Sequence, residues 1–252
     1  MASIWQPLNK HMRIPRIYYD GELTVGNTVS LDANASKHIC KVLRLEIDAK
    51  LILFNGRGKS VQAILKSSSP DAATVIITSE TEEATESPLR IHLGLGISKG
   101  DRMDYAIQKA VELGVTNITP LITERTIVRL DAKRSVKRQQ HWHGIILSAC
   151  EQSGRSFLPQ LNPVTKLGEW LSHTGNHKLV FVPDADKTLS QFERVSETSI
   201  LIGPEGGLSN PEITQTLGQN FEAVQLGPRT LRTETAVVAA CTALQMLWGD
   251  LA

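Results

Sequence analysis

Short runs of alternating apolar and polar residues fill positions 13–77: RIYY, TVSL, KLILFN, SVQAILK and ATVIIT. Turn signals such as DG, GN and NGRG separate them, so this region is expected to be a small β-rich module, for which a barrel is one arrangement. One piece breaks the period of two. In SKHICKVLRL (36–45), Ile39, Val42 and Leu43 share a helical face, while Lys37, Lys41 and Arg44 lie elsewhere. The segment TSETEEATESP (78–88) is acidic, rich in Thr and Ser, and ends in Pro, which marks a linker.

Beyond Pro88 strands alternate with helices. LRIHLGLGI (89–97) and NITPLIT (117–123) read as strands. Between them, MDYAIQKAVELG (103–114) puts Met103, Ala106, Ile107, Ala110 and Val111 on one helical face and stops at Gly114. Residues 136–153 form a second helix with Trp142, Ile145, Ile146 and Ala149 inward. KLVFVPD (178–184) and SILIGPEGG (199–207) are continuously apolar before their turn residues, as strands covered on both faces are. Asn210-Pro211-Glu212 offers Asn210 as an N-cap, a first-turn Pro and an early acid, so a helix is expected to start there. EAVQLG (222–227) is a last strand and 234–247 a last helix. This second part is α/β, giving the divisions 1–11 (an extension without pattern), 12–77, 78–88 and 89–252.

Composition adds little by itself. A chain of 252 residues, 41% hydrophobic and 21% charged, with net charge +1, is ordinary for a globular protein. The charge is uneven, however: residues 1–70 hold ten Lys/Arg against five Asp/Glu, a weak pointer to a polyanion that a solvated surface would explain equally well. Cys40, Cys150 and Cys241 are far apart with no CxxC, which fits a reducing compartment, the cytosol. His141 and His143 diverge on a helix, so no metal site is expected. No apolar run is long enough for a membrane span, and none reads as a signal peptide.

The chemistry is expected in the loops after three strands: VPDAD (182–186), GPEGG (203–207) and LGPRTLRTET (226–235). In open α/β sheets ligands bind beyond the strands' carboxyl ends. GPEGG allows close backbone approach, although a tight strand-to-helix turn would use the same glycines. It is neither a phosphate-binding Gly-Lys-Ser/Thr loop nor GxGxxG. In LGPRTLRTET, Thr233 can cap the last helix and Glu234 suits its first turn. Arg229 and Arg232 are not explained that way, because cations oppose the dipole there; an anionic ligand or developing charge would use them. Lys99 and Arg102 sit at another strand-to-helix loop, and Arg155 at a helix end in ACEQSGR, where surface charge and a plain helix stop are the alternatives.

MRIPRIYY, HICKVLRL, ISKGDRMDYAIQKAVELGVTNITPLITERT, ACEQSGR, LIGPEGGLSNPEI and LGPRTLRTETA occur in this order. From about Met12 to the C-terminus the chain resembles the RsmE family, which methylates N3 of a uridine in 16S (small-subunit) rRNA using S-adenosylmethionine. The resemblance implies an α/β SPOUT methyltransferase domain with a C-terminal deep trefoil knot, preceded by a small PUA-like RNA-binding β-barrel domain. It implies a homodimer acting on the small ribosomal subunit, with no membrane and no metal. It places the cofactor against Phe181, Val182, Pro183, Gly203, Glu205, Gly206, Gly207, Leu226, Gly227, Arg229 and Leu231. Arg232 and Glu234 would face the methyl group and the base.

On that reading an arginine stabilises charge on the uracil carbonyls as the N3 proton leaves. Either Glu234 or water assisted by Arg232 takes the proton. Arg13, Arg16, Lys37, Lys41, Arg44, Lys99, Arg102 and Arg155 are the candidate RNA contacts. Competing readings are another SPOUT methyltransferase acting on ribose 2′-OH or on tRNA, a non-catalytic rRNA-binding assembly factor, and a nucleotide-binding regulator.

Overall fold

The computed structural model describes residues 14–81, 85–126, 132–175 and 177–251. The extension 1–11 and Arg13 lie outside the described residues. The chain divides into two units, residues 1–83 and 84–252.

In the first unit the strands are β1 (Arg16–Tyr18), β2 (Thr28–Ser30), β3 (Lys50–Phe54), β4 (Ser60–Ser67) and β5 (Thr74–Thr81), with α1 (Ala33–Lys37) after β2. Their order is β1-β3-β4-β5-β2. The recorded pairing among the described residues is thus an open path ending on β1 and β2. The alternating apolar residues form one core, including Ile17, Leu31, Leu51, Leu53, Val61, Leu65, Val75 and Ile77. β5 runs on to Thr81, so four residues expected in the linker continue the ladder.

The expected helix over 36–45 is replaced by two shorter pieces. Asp32 caps α1 by accepting from the Asn34 and Ala35 amides (2.7 and 2.9 Å). A π turn over His38–Val42 follows. Its wider i→i+5 winding carries later residues off the face a 3.6-residue period predicts. Ile39 is buried, whereas Val42 is 68% and Leu43 37% exposed. The apolar side of that expected helix therefore does not exist as a single face.

The second unit contains β6 (Arg90–Gly96), α2 (Asp101–Glu112), β7 (Asn117–Ile122), α3 (Ala132–Ser153), β8 (Gln160–Leu161), β9 (Thr165–Lys166), α4 (Leu167–Ser172), β10 (Lys178–Phe181), β11 (Glu197–Ile202), α5 (Asn210–Gly218), β12 (Glu222–Val224) and α6 (Thr233–Trp248). The sheet order is β12-β10-β11-β6-β7-β8, with β9 also on β7. Every recorded pair in it is parallel. This explains the continuous apolar runs: Leu93, Leu95, Ile200, Leu201, Leu179 and Val180 are all buried. The predicted inner face of α2 is buried residue for residue. α2 packs on both α3 and α6.

Parallel strands point their carboxyl ends the same way, and the second unit brings those ends close. A Cβ on Gly96, at the end of β6, would collide with Pro204, beyond the end of β11. A partly buried polar cluster sits on the same sheet. His92 Nε2 lies 2.7 Å from Thr119 Oγ1 and accepts from Trp170 Nε1 at 3.2 Å. Asn162 Nδ2 donates to Thr119 Oγ1 at 2.8 Å. Burial pushes the His92 pKa below its ordinary value, against the opposing pull of Glu197.

Candidate active site

The loops leaving β10, β11 and β12 enclose a cavity of about 390 Å³, within the roughly 300–1,000 Å³ typical of small-molecule pockets. Phe181, Val182 and Pro183 form one wall, Gly203 to Gly207 a second, and Leu226, Gly227, Arg229 and Leu231 a third. The three loops singled out in the sequence therefore meet in one place. A larger and more open depression of about 600 Å³ lies by the edge strand β12. There Lys187 pairs with Glu222, and His177 Nδ1 lies 2.9 Å from Thr198 Oγ1.

The β11 loop is held from outside as well as by its own sequence. Glu205 accepts from the Lys99 amide at 2.8 Å, and Arg102 Nη1 is 3.6 Å from the same carboxylate. Burial acts to raise the Glu205 pKa. The Lys99 and Glu205 amides, the Ser98 hydroxyl and the Arg102 charge outweigh it, and the pKa lies below its usual value. Glu205 is thus ionised at neutral pH and tied to the loop that precedes α2. Arg102 is correspondingly drawn toward this carboxylate, while keeping an exposed side chain.

Two expected helix caps change their residues. Ser209, not Asn210, caps α5, in a reciprocal box with Glu212. Thr233 lies inside α6, and its Oγ1 donates to the Gly203 carbonyl at 3.2 Å. Thr233 therefore joins the third wall to the second instead of capping its own helix. Arg232 occupies the N-cap position of α6, has no side-chain cap bond and is exposed. Glu234 is half-buried in the first turn, and its Oε2 has no hydrogen-bond partner among the described residues.

The candidate RNA contacts separate into groups. Lys37, Lys41, Arg44, Lys99 and Arg102 are exposed. Arg16 is not: it is 7% exposed, with its guanidinium 5.2 Å from the centre of the Phe54 ring. Arg155 is 3% exposed. Its guanidinium binds both oxygens of Glu86 at 3.0 and 2.6 Å, and the carbonyls of Val111 and Val115 at 2.9 and 2.8 Å. Both are corrections, since burial leaves neither guanidinium a face for a phosphate, and that of Arg155 is also enclosed by protein acceptors. Arg125, which the sequence reading passed over, lines the cavity. Its signal was position: Glu124-Arg125-Thr126 follows directly on the expected strand 117–123, at a carboxyl end. His141, set aside as a metal ligand, lies 2.7 Å from Asp104.

Residues 85–245 match the family described as RNA methyltransferase domain, and residues 31–78 the family described as RNA methyltransferase PUA domain. Ribosomal RNA small subunit methyltransferase E of Buchnera aphidicola subsp. Schizaphis graminum is 39% identical over 242 residues, spanning 95% of this chain and 98% of that protein. The chain belongs to the RsmE family of RNA methyltransferases. The RsmE protein of Bacillus subtilis is 30% identical over 246 residues, spanning 88% of this chain and 93% of its own. Among solved structures, RsmE from Neisseria gonorrhoeae bound to S-adenosylmethionine is 41% identical with a TM-score of 0.90, covering 95% of this chain and 100% of that one. A methyltransferase from Legionella pneumophila, also solved with S-adenosylmethionine, has 41% identity and a TM-score of 0.92 at the same coverage.

Proposed function

We propose that this RsmE-family chain transfers a methyl group from S-adenosylmethionine to N3 of a uridine in 16S rRNA. The observation that carries this is the meeting of three strand-exit loops in one cavity, with Arg232 and Glu234 at the start of the helix that follows the third loop. The cavity suits that cofactor. Phe181, Val182 and Leu231 offer apolar surface, Gly203, Gly206, Gly207 and Gly227 leave the backbone accessible, and Glu205 and Arg229 stand at its edge. Bound there, S-adenosylmethionine supplies an electrophilic methyl group.

The protein's own part is acid–base and electrostatic. Uracil N3 carries a proton at neutral pH, so something must take it. Glu234, in the first turn of α6 with an Oε2 that has no partner among the described residues, is one candidate base, and water assisted by Arg232 is the other. The exposed guanidinium of Arg232 stabilises the charge that develops on the uracil carbonyl oxygens.

The finer architecture belongs to the same proposal. The segment from Leu226 into α6 forms the last part of a trefoil knot, which the Thr233–Gly203 bond supports by tying this segment to the β11 loop. The first unit serves as a PUA-like RNA-binding module through Lys37, Lys41 and Arg44, which supply phosphate contacts. The active form is a homodimer acting on the small ribosomal subunit in the cytosol. The test is transfer of labelled methyl to purified small subunits lacking the modification, with the digested nucleosides identified by mass spectrometry. The product expected is 3-methyluridine. A ribose-methylated product, or transfer to tRNA alone, would replace this reading with another RNA methylation.

A further inference from the structure

The turn after β7 is closed upon itself. The Thr126 amide donates to the Thr123 carbonyl at 3.1 Å, and Thr126 Oγ1 accepts from the Thr123 amide at 2.9 Å. The two residues between, Glu124 and Arg125, both reach the segment that follows β11. Arg125 Nη1 donates to the Gly206 carbonyl at 2.7 Å. A Cβ on Gly206 would lie 3.1 Å from Arg125 Cβ and 3.4 Å from its Cδ, so the arginine's stem lies flat on that glycine. The Glu124 amide donates to Glu212 Oε1 at 2.8 Å, and its carboxylate accepts from the Ser209 hydroxyl. Three bonds from one closed turn thus grip the Gly206–Glu212 stretch.

We infer that the Thr123–Thr126 turn is a positioning element for the Gly203–Gly207 wall of the cavity, with Arg125 as its principal residue. A glycine-rich loop has many accessible backbone conformations, and its amides and carbonyls meet a ligand correctly in few of them. A charged donor on the Gly206 carbonyl removes much of that freedom before the ligand arrives, which lowers the cost of binding. Arg125 acts through the loop, so it is a positioning residue. For the identity of the ligand the inference rests on the function proposed above; for the brace itself it does not.

The decisive variants are Arg125→Met, which keeps the stem and removes the donor, and Arg125→Lys, which restores a donor. Calorimetry with S-adenosylmethionine should show Arg125→Met weakened about tenfold and Arg125→Lys within about threefold of the parent. The loss of methyl transfer in Arg125→Met should shrink as the cofactor concentration is raised, and the melting temperature should not move. In the protein without cofactor, the Gly207 amide, which donates to the Pro204 carbonyl at 2.8 Å, should exchange about tenfold faster in Arg125→Met. Unchanged exchange together with unchanged cofactor affinity overturns the inference. So does unchanged affinity with a raised KM for RNA, which would make Arg125 a phosphate contact. If the parent protein itself does not bind S-adenosylmethionine, the proposed function fails, and the exchange rate alone decides on the brace.

Discussion

Two arginines flank helix ends in the second unit and end in opposite states. Arg155, just past α3, is enclosed, with Glu86 and two backbone carbonyls around its guanidinium. Arg232, just before α6, is exposed, with no cap bond from its side chain. In the sequence both are cations beside a helix terminus, and both suggest an anionic ligand. The difference is burial. A guanidinium inside the protein must have its donors satisfied there, and it then acts as a clamp between segments. One that stays exposed, as Arg232 does, keeps its charge for what binds there. Proximity of an arginine to a motif therefore says little about its role until its accessibility is known.

Removing each arginine should separate the two roles. Arg155→Met should cost about 3 kcal/mol of stability in urea denaturation, because Glu86 and two carbonyls lose their partner. The salt dependence of RNA binding should not change, and a changed slope in a still-folded variant would break the comparison. Arg232→Ala should do the reverse. Methyl transfer should fall by about 10²–10³, with cofactor affinity and melting temperature held. Near-normal turnover would remove Arg232 from the chemistry.

Smaller effects sharpen the contrast between scaffold and site. Gly96→Ala puts a methyl group against Pro204 and should cost about 1–3 kcal/mol by overpacking, seen as a lower melting temperature together with weaker cofactor binding. A loss of stability with unchanged binding would show that β6 and the β11 loop move independently. The polar cluster around His92 belongs to the scaffold and predicts a pH effect. Its folded pKa is depressed by burial, while in the unfolded chain it is about 6.5. Above that value both states are neutral and the stability is complete. As pH falls below about 6.5 the unfolded chain takes up a proton first, and stability drops. Denaturation midpoints at pH 7.5 and 5.5 should differ less in His92→Gln than in the parent. Smallest of all, Lys41→Ala should reduce the salt slope of RNA binding by about one.

Much of the fold could be read from one dimension, because periodicity reports burial directly. The inner face of α2 and the doubly covered strands β6, β10 and β11 lie where pattern places them. The three cavity loops could be read too, since strand ends followed by glycine, proline and charge mark where a parallel sheet binds ligands. The π turn at His38–Val42 could not, because a local change of winding leaves composition unaltered while rotating Val42 and Leu43 outward. Nor could the partners of Arg16, Arg125, Arg155 and Thr233. Phe54, Gly206, Glu86 and Gly203 lie 30 or more residues from them in the chain. Hydrogen bonds and burial at that separation are products of the packed sheet. The sequence by itself determined which strand-exit loops meet in one cavity, and the tertiary structure decided which of the arginines stay exposed and which hold the protein together, because a buried guanidinium must find its partners inside the protein.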